Sequence, residues 1–177
     1  MRDSASPRPS IESLIELFGN AVSKFVDGEQ DLFEVGINER SLTHKLAEYM
    51  QLFFETWNVD CEYNRLRDQV KVLPKPARTQ TDDIEGMTIF PDIIVHKRKT
   101  DDNLLVVEVK KLGNNRHETD HYKLSELTRS DGYFSYDLGL HIILDPKNGR
   151  VSGATAFHLG RQSIDFTHII QKRLGIG

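Results

Sequence analysis

The sequence predicts an α/β domain, a mixed β-sheet flanked by helices. Two kinds of apolar periodicity predict it. Apolar residues recur at helical spacing over Ile11, Leu14, Ile15, Phe18, Val22, Phe25 and again over Leu42, Leu46, Met50, Phe53. The runs DIIVHKR, LLVVEVKK and LGLHIILD read instead as strands, apolar on consecutive positions as in a sheet covered on both faces. A helical stretch over 115–130 separates the second of these runs from the third.

The elements follow in order. Residues 1–9 are polar with two prolines and are expected to be loose. Ser10 is placed to cap the first helix, and Gly28 lies just past its end. Residues 1–30 are therefore read as an N-terminal polar segment and helix, an addition available for dimerisation. Residues 31–177 form the main unit, within a single domain overall. A second helix should start near Asn38. VDCEYNRL reads as a strand, and residues 67–90 as a long connection with Pro74, Pro76 and Gly86. KTDDN is a turn joining DIIVHKR to LLVVEVKK, which makes a hairpin. After the helix over 115–130 and the strand LGLHIILD, the turn KNGR leads to VSGATAFHL. SIDFTHIIQKRL closes the chain as a last helix before Gly175. The expected order is ααβββαββα.

Composition bounds the function. The chain has 177 residues, 38% hydrophobic and 28% charged, enough for one cored domain. The formal net charge of −4 gives no overall attraction for nucleic acid. The charge is uneven, with 5 Lys+Arg against 11 Asp+Glu in residues 1–60 and 12 against 11 in residues 61–123. The single cysteine, Cys61, excludes an internal disulfide. No apolar run reaches membrane-spanning length, so no membrane association and a cytoplasmic location are expected. There is no P-loop and no G-x-G-x-x-G.

The chemistry concentrates on the hairpin. With its turn centred on residue 101, Asp92 faces Lys110, and Asp92, Glu108 and Lys110 share one face. Charged groups in apolar strands are costly unless paired or metal-bound. Two converging carboxylates suit a hard divalent cation such as Mg2+ or Mn2+, and a neighbouring lysine suits charge that builds on a phosphate. Glu39 lies in the row 39, 42, 46, 50, 53 of the second helix and points towards the core side. A buried Glu–Lys structural pair, with Glu39 as a plain first-turn acid, is the alternative for the same residues.

Asp92 and Glu108-Val109-Lys110 on a hairpin, after a helix carrying Glu39, resemble the PD-(D/E)xK nuclease superfamily, the restriction-endonuclease-like fold. The resemblance runs from about residue 38 to 145. EYNR, PDIIVHKR and LLVVEVKK also look like a set of uncharacterised bacterial and phage proteins placed in that superfamily. The resemblance implies a nuclease that hydrolyses phosphodiester bonds, most readily of DNA. It implies that Asp92, Glu108 and the Val109 carbonyl bind Mg2+ (or Mn2+), that Lys110 serves the attacking water, and that Glu39 supports the metal site. Arg65, Arg67, Lys111 and Lys123 are the candidate phosphate contacts. A homodimer or a partner subunit could supply further substrate surface. The same fold also hosts catalytically inactive binding modules, for nucleic acid or protein, which is the competing expectation.

His117-Glu118-Thr119-Asp120-His121 matches H-E-x-x-H, the zinc-protease pattern. Its flanks are polar, and Leu124 and Leu127 occupy the places of a third ligand in the longer motif. These residues are expected to be exposed at a helix entry. His96 and His44 are expected to be structural, His96 with a weak claim to the site through its parity with Asp92. Cys61 is expected in a strand. Tyr63, Phe134, Tyr136 and Trp57 are expected mainly in packing.

Overall fold

The computed structural model describes residues 8–63, 65–66, 69–70, 72–73, 87–114 and 117–177. The first helix, α1 (Ile11–Gly28), is capped by Ser10, whose Oγ accepts from Ser13 N at 3.2 Å. A five-residue helix that the sequence did not suggest, α2 (Gln30–Glu34), follows. α3 (Glu39–Gln51) starts where Asn38 Oδ1 accepts from Ser41 N at 2.8 Å. That cap sets Glu39 as the first helical residue, half-buried at the end facing the sheet.

The predicted strand over VDCEYNRL is shorter than expected. β1 is Asn58–Cys61, and Glu62 then takes a positive φ of 48° that breaks the strand. Four two-residue strands follow: β2 (Arg65–Leu66), β3 (Gln69–Val70), β4 (Val72–Leu73) and β5 (Met87–Thr88), pairing as β2 with β3 and β4 with β5. The hairpin is β6 (Ile93–His96) and β7 (Asn103–Lys111). Next come α4 (His117–Leu127), β8 (Leu138–Asp145), β9 (Arg150–His158), a short unexpected β10 (Arg161–Ser163) and α5 (Ile164–Arg173). Between β8 and β9, Gly149 takes the left-handed conformation at φ 54° that the Asn-Gly turn required.

β1, β6, β7, β8, β9 and β10 form one six-stranded sheet in that order. β7 and β8 run parallel and the other neighbours antiparallel, so the sheet is mixed. The α/β class with a mixed sheet flanked by helices is what the chain forms. Parallel neighbours need a crossover, and α4 is that crossover.

The two faces of the sheet have separate cores. Leu105, Val107 and Val109 of β7, with Leu140 and Ile142 of β8, pack with α1, α3 and α5. Val106 of β7 and Ile94 of β6 pack with Leu124 and Leu127 of α4. By alternation, Asp92, Glu108, Lys110 and His141 lie on the α4 side. The apolar face of α1 is fully inside, with Leu14, Ile15 and Phe18 at 0% exposure beside α3 and α5. This chain's own helices cover that face.

The hairpin register differs from expectation. Ile93 pairs with Val107 and Ile94 with Val106, so Asp92 continues opposite Glu108, not Lys110. An irregularity between Val95 and His96 takes up one residue beside the turn, where Lys99 has a φ of 65°. The centre moves by a whole residue, so parity survives and Asp92, Glu108 and Lys110 still share a face.

Gly139 of β8 lets α4 approach. A Cβ there would stand 3.1 Å from Thr128 Cγ2, 3.2 Å from Leu124 Cδ2 and 3.3 Å from Phe157 Cβ. Gly139→Val should overpack this junction and cost about 1–3 kcal/mol, measured by chemical denaturation. An unchanged unfolding midpoint would contradict this account of the α4–β8 contact.

Candidate active site

The site is built around Glu108, whose side chain is fully buried on the α4 face of β7. Burial and the nearby Asp92 carboxylate raise its pKa well above the ordinary carboxylate range. Its Oε2 accepts from Lys123 Nζ at 3.3 Å, while its Oε1 is buried without a hydrogen-bond partner. Asp92, at the start of β6, accepts from Val109 N through Oδ2 at 2.7 Å. Burial raises the Asp92 carboxyl as well, against the lowering effect of that hydrogen bond.

Lys110 stands two residues beyond Glu108 on the same face. Its Nζ lies 3.2 Å from Asp120 Oδ2, 3.5 Å from Glu39 Oε1 and 3.3 Å from Val109 O. Burial works to lower its pKa, but Asp92, Asp120 and Glu39 outweigh it and raise it. The contact with Asp120 is an ion pair without hydrogen-bond alignment, since Oδ2 has no hydrogen-bond partner. Glu39 reaches the end of β7 from α3, and its Oε2 accepts from Lys111 N at 2.9 Å. Glu39, Asp92, Glu108 and Lys110, expected together from the sequence, are brought together by the fold.

Asp120 was not anticipated as a member. It is 3% exposed on α4 and lies 3.3 Å from Lys123 Nζ through Oδ1. The expectation that HETDH is an exposed helix entry is corrected. Only Glu118 and Thr119 are exposed, because α4 begins at His117 and turns Asp120 onto the sheet. Asp120 lies three residues before Lys123 on one helix face, which is the signal the sequence carried.

Two of the candidate phosphate contacts are committed elsewhere. Lys123 is inside the carboxylate cluster, where Glu108 and Asp120 outweigh burial and raise its pKa. Lys111 donates through Nζ to Ile37 O at 2.9 Å. The side chains of Arg65 and Arg67 lie outside the described residues. His96 is buried with Nε2 at 2.8 Å from Asp60 Oδ2, a structural role. Phe134 and Tyr136 are buried in the α4-side core, Tyr63 packs against it, and Trp57 packs against the other core beneath Lys97. Cys61 sits half-buried on β1, its thiol pushed up to about 11 by burial and nearby carboxylates.

Glu39 and Asp92 open onto a cleft of about 820 Å3 between α3 and β1. Its wall carries Glu48, Asp60 and Glu62 as well, against Arg40 and His44. A phosphate could enter this acidic cleft only with added positive charge.

The residues fit a hard divalent cation in kind and charge. Glu39, Asp92, Glu108 and Asp120 place four carboxylates around the two ammonium groups of Lys110 and Lys123, leaving the group formally negative. Glu108 Oε1 is a buried oxygen with no donor. Among the described residues, however, no three His, Cys, Asp or Glu side chains have donor atoms already converged to hold a metal ion. Lys110 and Lys123 offset part of the carboxylate charge.

Among known proteins, no family model and no curated protein matches the chain. The chain is similar in structure to SSO0001, with a TM-score of 0.42 and 11% identity, covering 97% of this chain and 79% of that one. A likeness that distant assigns no activity. No described helix is long and apolar enough to cross a membrane.

The buried carboxyl sets a pH dependence. A Glu108 pKa raised in the fold contributes stability that is complete below its ordinary range and is lost as pH rises through the folded value. With a chelator present, His121 and His141, whose pKa values are lowered, add stability as pH rises towards the ordinary imidazole range, while Glu108 contributes a falling slope from about pH 5 towards pH 8. Glu108→Gln should flatten this slope and melt about 2–4 °C higher at pH 8, the shift that about 1 kcal/mol produces in a domain this size. Parallel pH profiles for the two proteins would contradict it.

Proposed function

We propose that this protein is a divalent-metal-dependent nuclease of the PD-(D/E)xK superfamily that hydrolyses phosphodiester bonds, with DNA as the first substrate to test. The observation that carries the reading is the hairpin itself. Asp92 continues the register opposite Glu108, Lys110 shares their face, and Glu39 enters from α3. The cofactor is Mg2+ or Mn2+, held by Asp92 and Glu108 with the Val109 carbonyl and support from Glu39.

When bound, the ion supplies charge that polarises the scissile phosphate and makes a water more acidic. The chain's own groups do the rest. Lys110 stays protonated among its carboxylates, so it acts as a hydrogen-bond donor and fixed charge, not as a general base. It orients the attacking water and offsets the negative charge that builds on phosphorus. Lys123, paired with Glu108 and Asp120, adds a second fixed positive charge beside the site. Asp120 holds both ammonium groups in place.

One observation favours the competing reading of a non-catalytic binding module. Glu108 already has a cationic partner in Lys123, as a purely structural cluster would. Cleavage assays separate the two. Wild type should cut plasmid or single-stranded DNA with Mg2+ or Mn2+, and Asp92→Ala or Glu108→Ala should lower the rate at least about 100-fold, the scale of losing a positioned catalytic group. Mg2+ at a hundredfold excess over its Kd should raise the melting temperature by about 5–10 °C, equivalent to about 2.7 kcal/mol. Cleavage retained in both variants, or no metal effect on wild type, would leave the binding module as the better account.

A further inference from the structure

The H-E-x-x-H stretch lacked a third ligand in sequence, and the fold brings a third imidazole beside it. His117 and His121 stand four residues apart on one face of α4. His141 lies beneath them on β8, 2% exposed, as the register partner of Glu108. Its ring centre is 5.1 Å from that of His117 and 4.8 Å from that of His121. His117 Nδ1 lies 3.4 Å from His141 Nε2. His121 Nε2 is buried without a hydrogen-bond partner. Phe157 closes one side, 5.2 Å from the His121 ring.

These distances have a chemical meaning. Two nitrogens that share a tetrahedral zinc at about 2.0–2.1 Å stand about 3.3–3.4 Å apart. The His117 and His141 nitrogens, hydrogen-bonded to each other, already stand at that separation, although the three imidazoles do not yet converge on one point. The His117 and His121 rings are 6.5 Å apart, and a turn of these half-exposed side chains would close the set. Imidazole nitrogens select zinc and its transition-metal neighbours, whereas the carboxylates across the strand select hard ions.

We propose that His117, His121 and His141 form a Zn2+ site separate from the carboxylate cluster. Three protein ligands leave a fourth position for water. The H-E-x-x-H glutamate does not complete a protease here. Glu118 is exposed, and the buried acid of the segment, Asp120, is engaged by Lys110 and Lys123. The ion instead ties the first turn of α4 to the middle of β8. The same helix carries Asp120 and Lys123, so the tie fixes their position over Glu108.

The test is zinc binding to the full chain, stripped with chelator and then held in excess Mg2+. Competition against a chromophoric zinc indicator gives stoichiometry and affinity, and Co2+ absorption reports the ligand geometry. Wild type should bind one Zn2+ per chain and give a tetrahedral Co2+ spectrum. His117→Ala and His121→Ala should each weaken binding at least about tenfold, a loss that even outer-shell changes reach. His168→Ala, an exposed residue elsewhere on α5, and Asp92→Ala should bind as wild type does. His141→Ala removes a buried side chain, so the two α4 variants carry the test, with circular dichroism to confirm folding. Absence of stoichiometric zinc, or binding lost in Asp92→Ala but kept in folded α4 variants, would overturn the proposal. Because the readout is zinc affinity, it is independent of whether the chain cuts DNA.

Discussion

The structure depends on one constraint, a carboxylate with no solvent exposure in the middle of a sheet. Glu108 has Val107 and Val109 on either side, both fully buried. An unpaired ion in such a place would cost several kcal/mol. The fold meets this by bringing Lys123 from α4 and Lys110 from the same strand. Those ammonium groups are themselves partly desolvated, so they draw in Asp120 and Glu39. The cluster spreads in this way from one buried oxygen to the edge of the cleft. The lysines offset Glu108, Asp120 and Glu39 offset the lysines, and Glu39 reaches the cleft wall beside Asp92.

The sheet topology decides which groups can take part. Alternation along β7 divides the strand between two cores, so the odd-numbered valines meet α1 and α3 while Glu108 and Lys110 meet α4. The crossover between parallel β7 and β8 then lays α4 over the charged face. It is held close by the missing side chain at Gly139. The same face of β8 carries His141, which is why an imidazole cluster borders the carboxylate cluster. The two groups differ in ligand chemistry, oxygen on one side and nitrogen on the other, so they would select different ions from the same solution.

Much of this was legible in the sequence, for identifiable reasons. Period-3.6 and near-continuous apolar runs marked α1, α3, β6, β7 and β8. Ser10 and Asn38 marked helix starts because a side-chain oxygen is needed there to satisfy free backbone N–H groups. The parity of residues 92, 108 and 110 marked their common face, and it survived a register error because side chains alternate with period two. Composition failed where tertiary packing ruled. The apolar stripe of α1 marked a helix but not its place, because where a stripe packs has no address in the sequence. The exposed reading of HETDH failed because polarity was judged from neighbours in the chain, not from the sheet that α4 covers.

The sequence by itself determined the periodicities, the caps, the mixed α/β class and the shared face of Asp92, Glu108 and Lys110. These are local properties, fixed by hydrogen-bonding needs and side-chain direction within a few residues. Only the tertiary structure decided that Asp92 stands opposite Glu108, that Asp120 and Lys123 close over it, and that His141 joins His117 and His121. Those meetings join residues up to some two dozen positions apart. They depend on where the bulge falls and how closely a helix sits on a strand, which no local rule encodes.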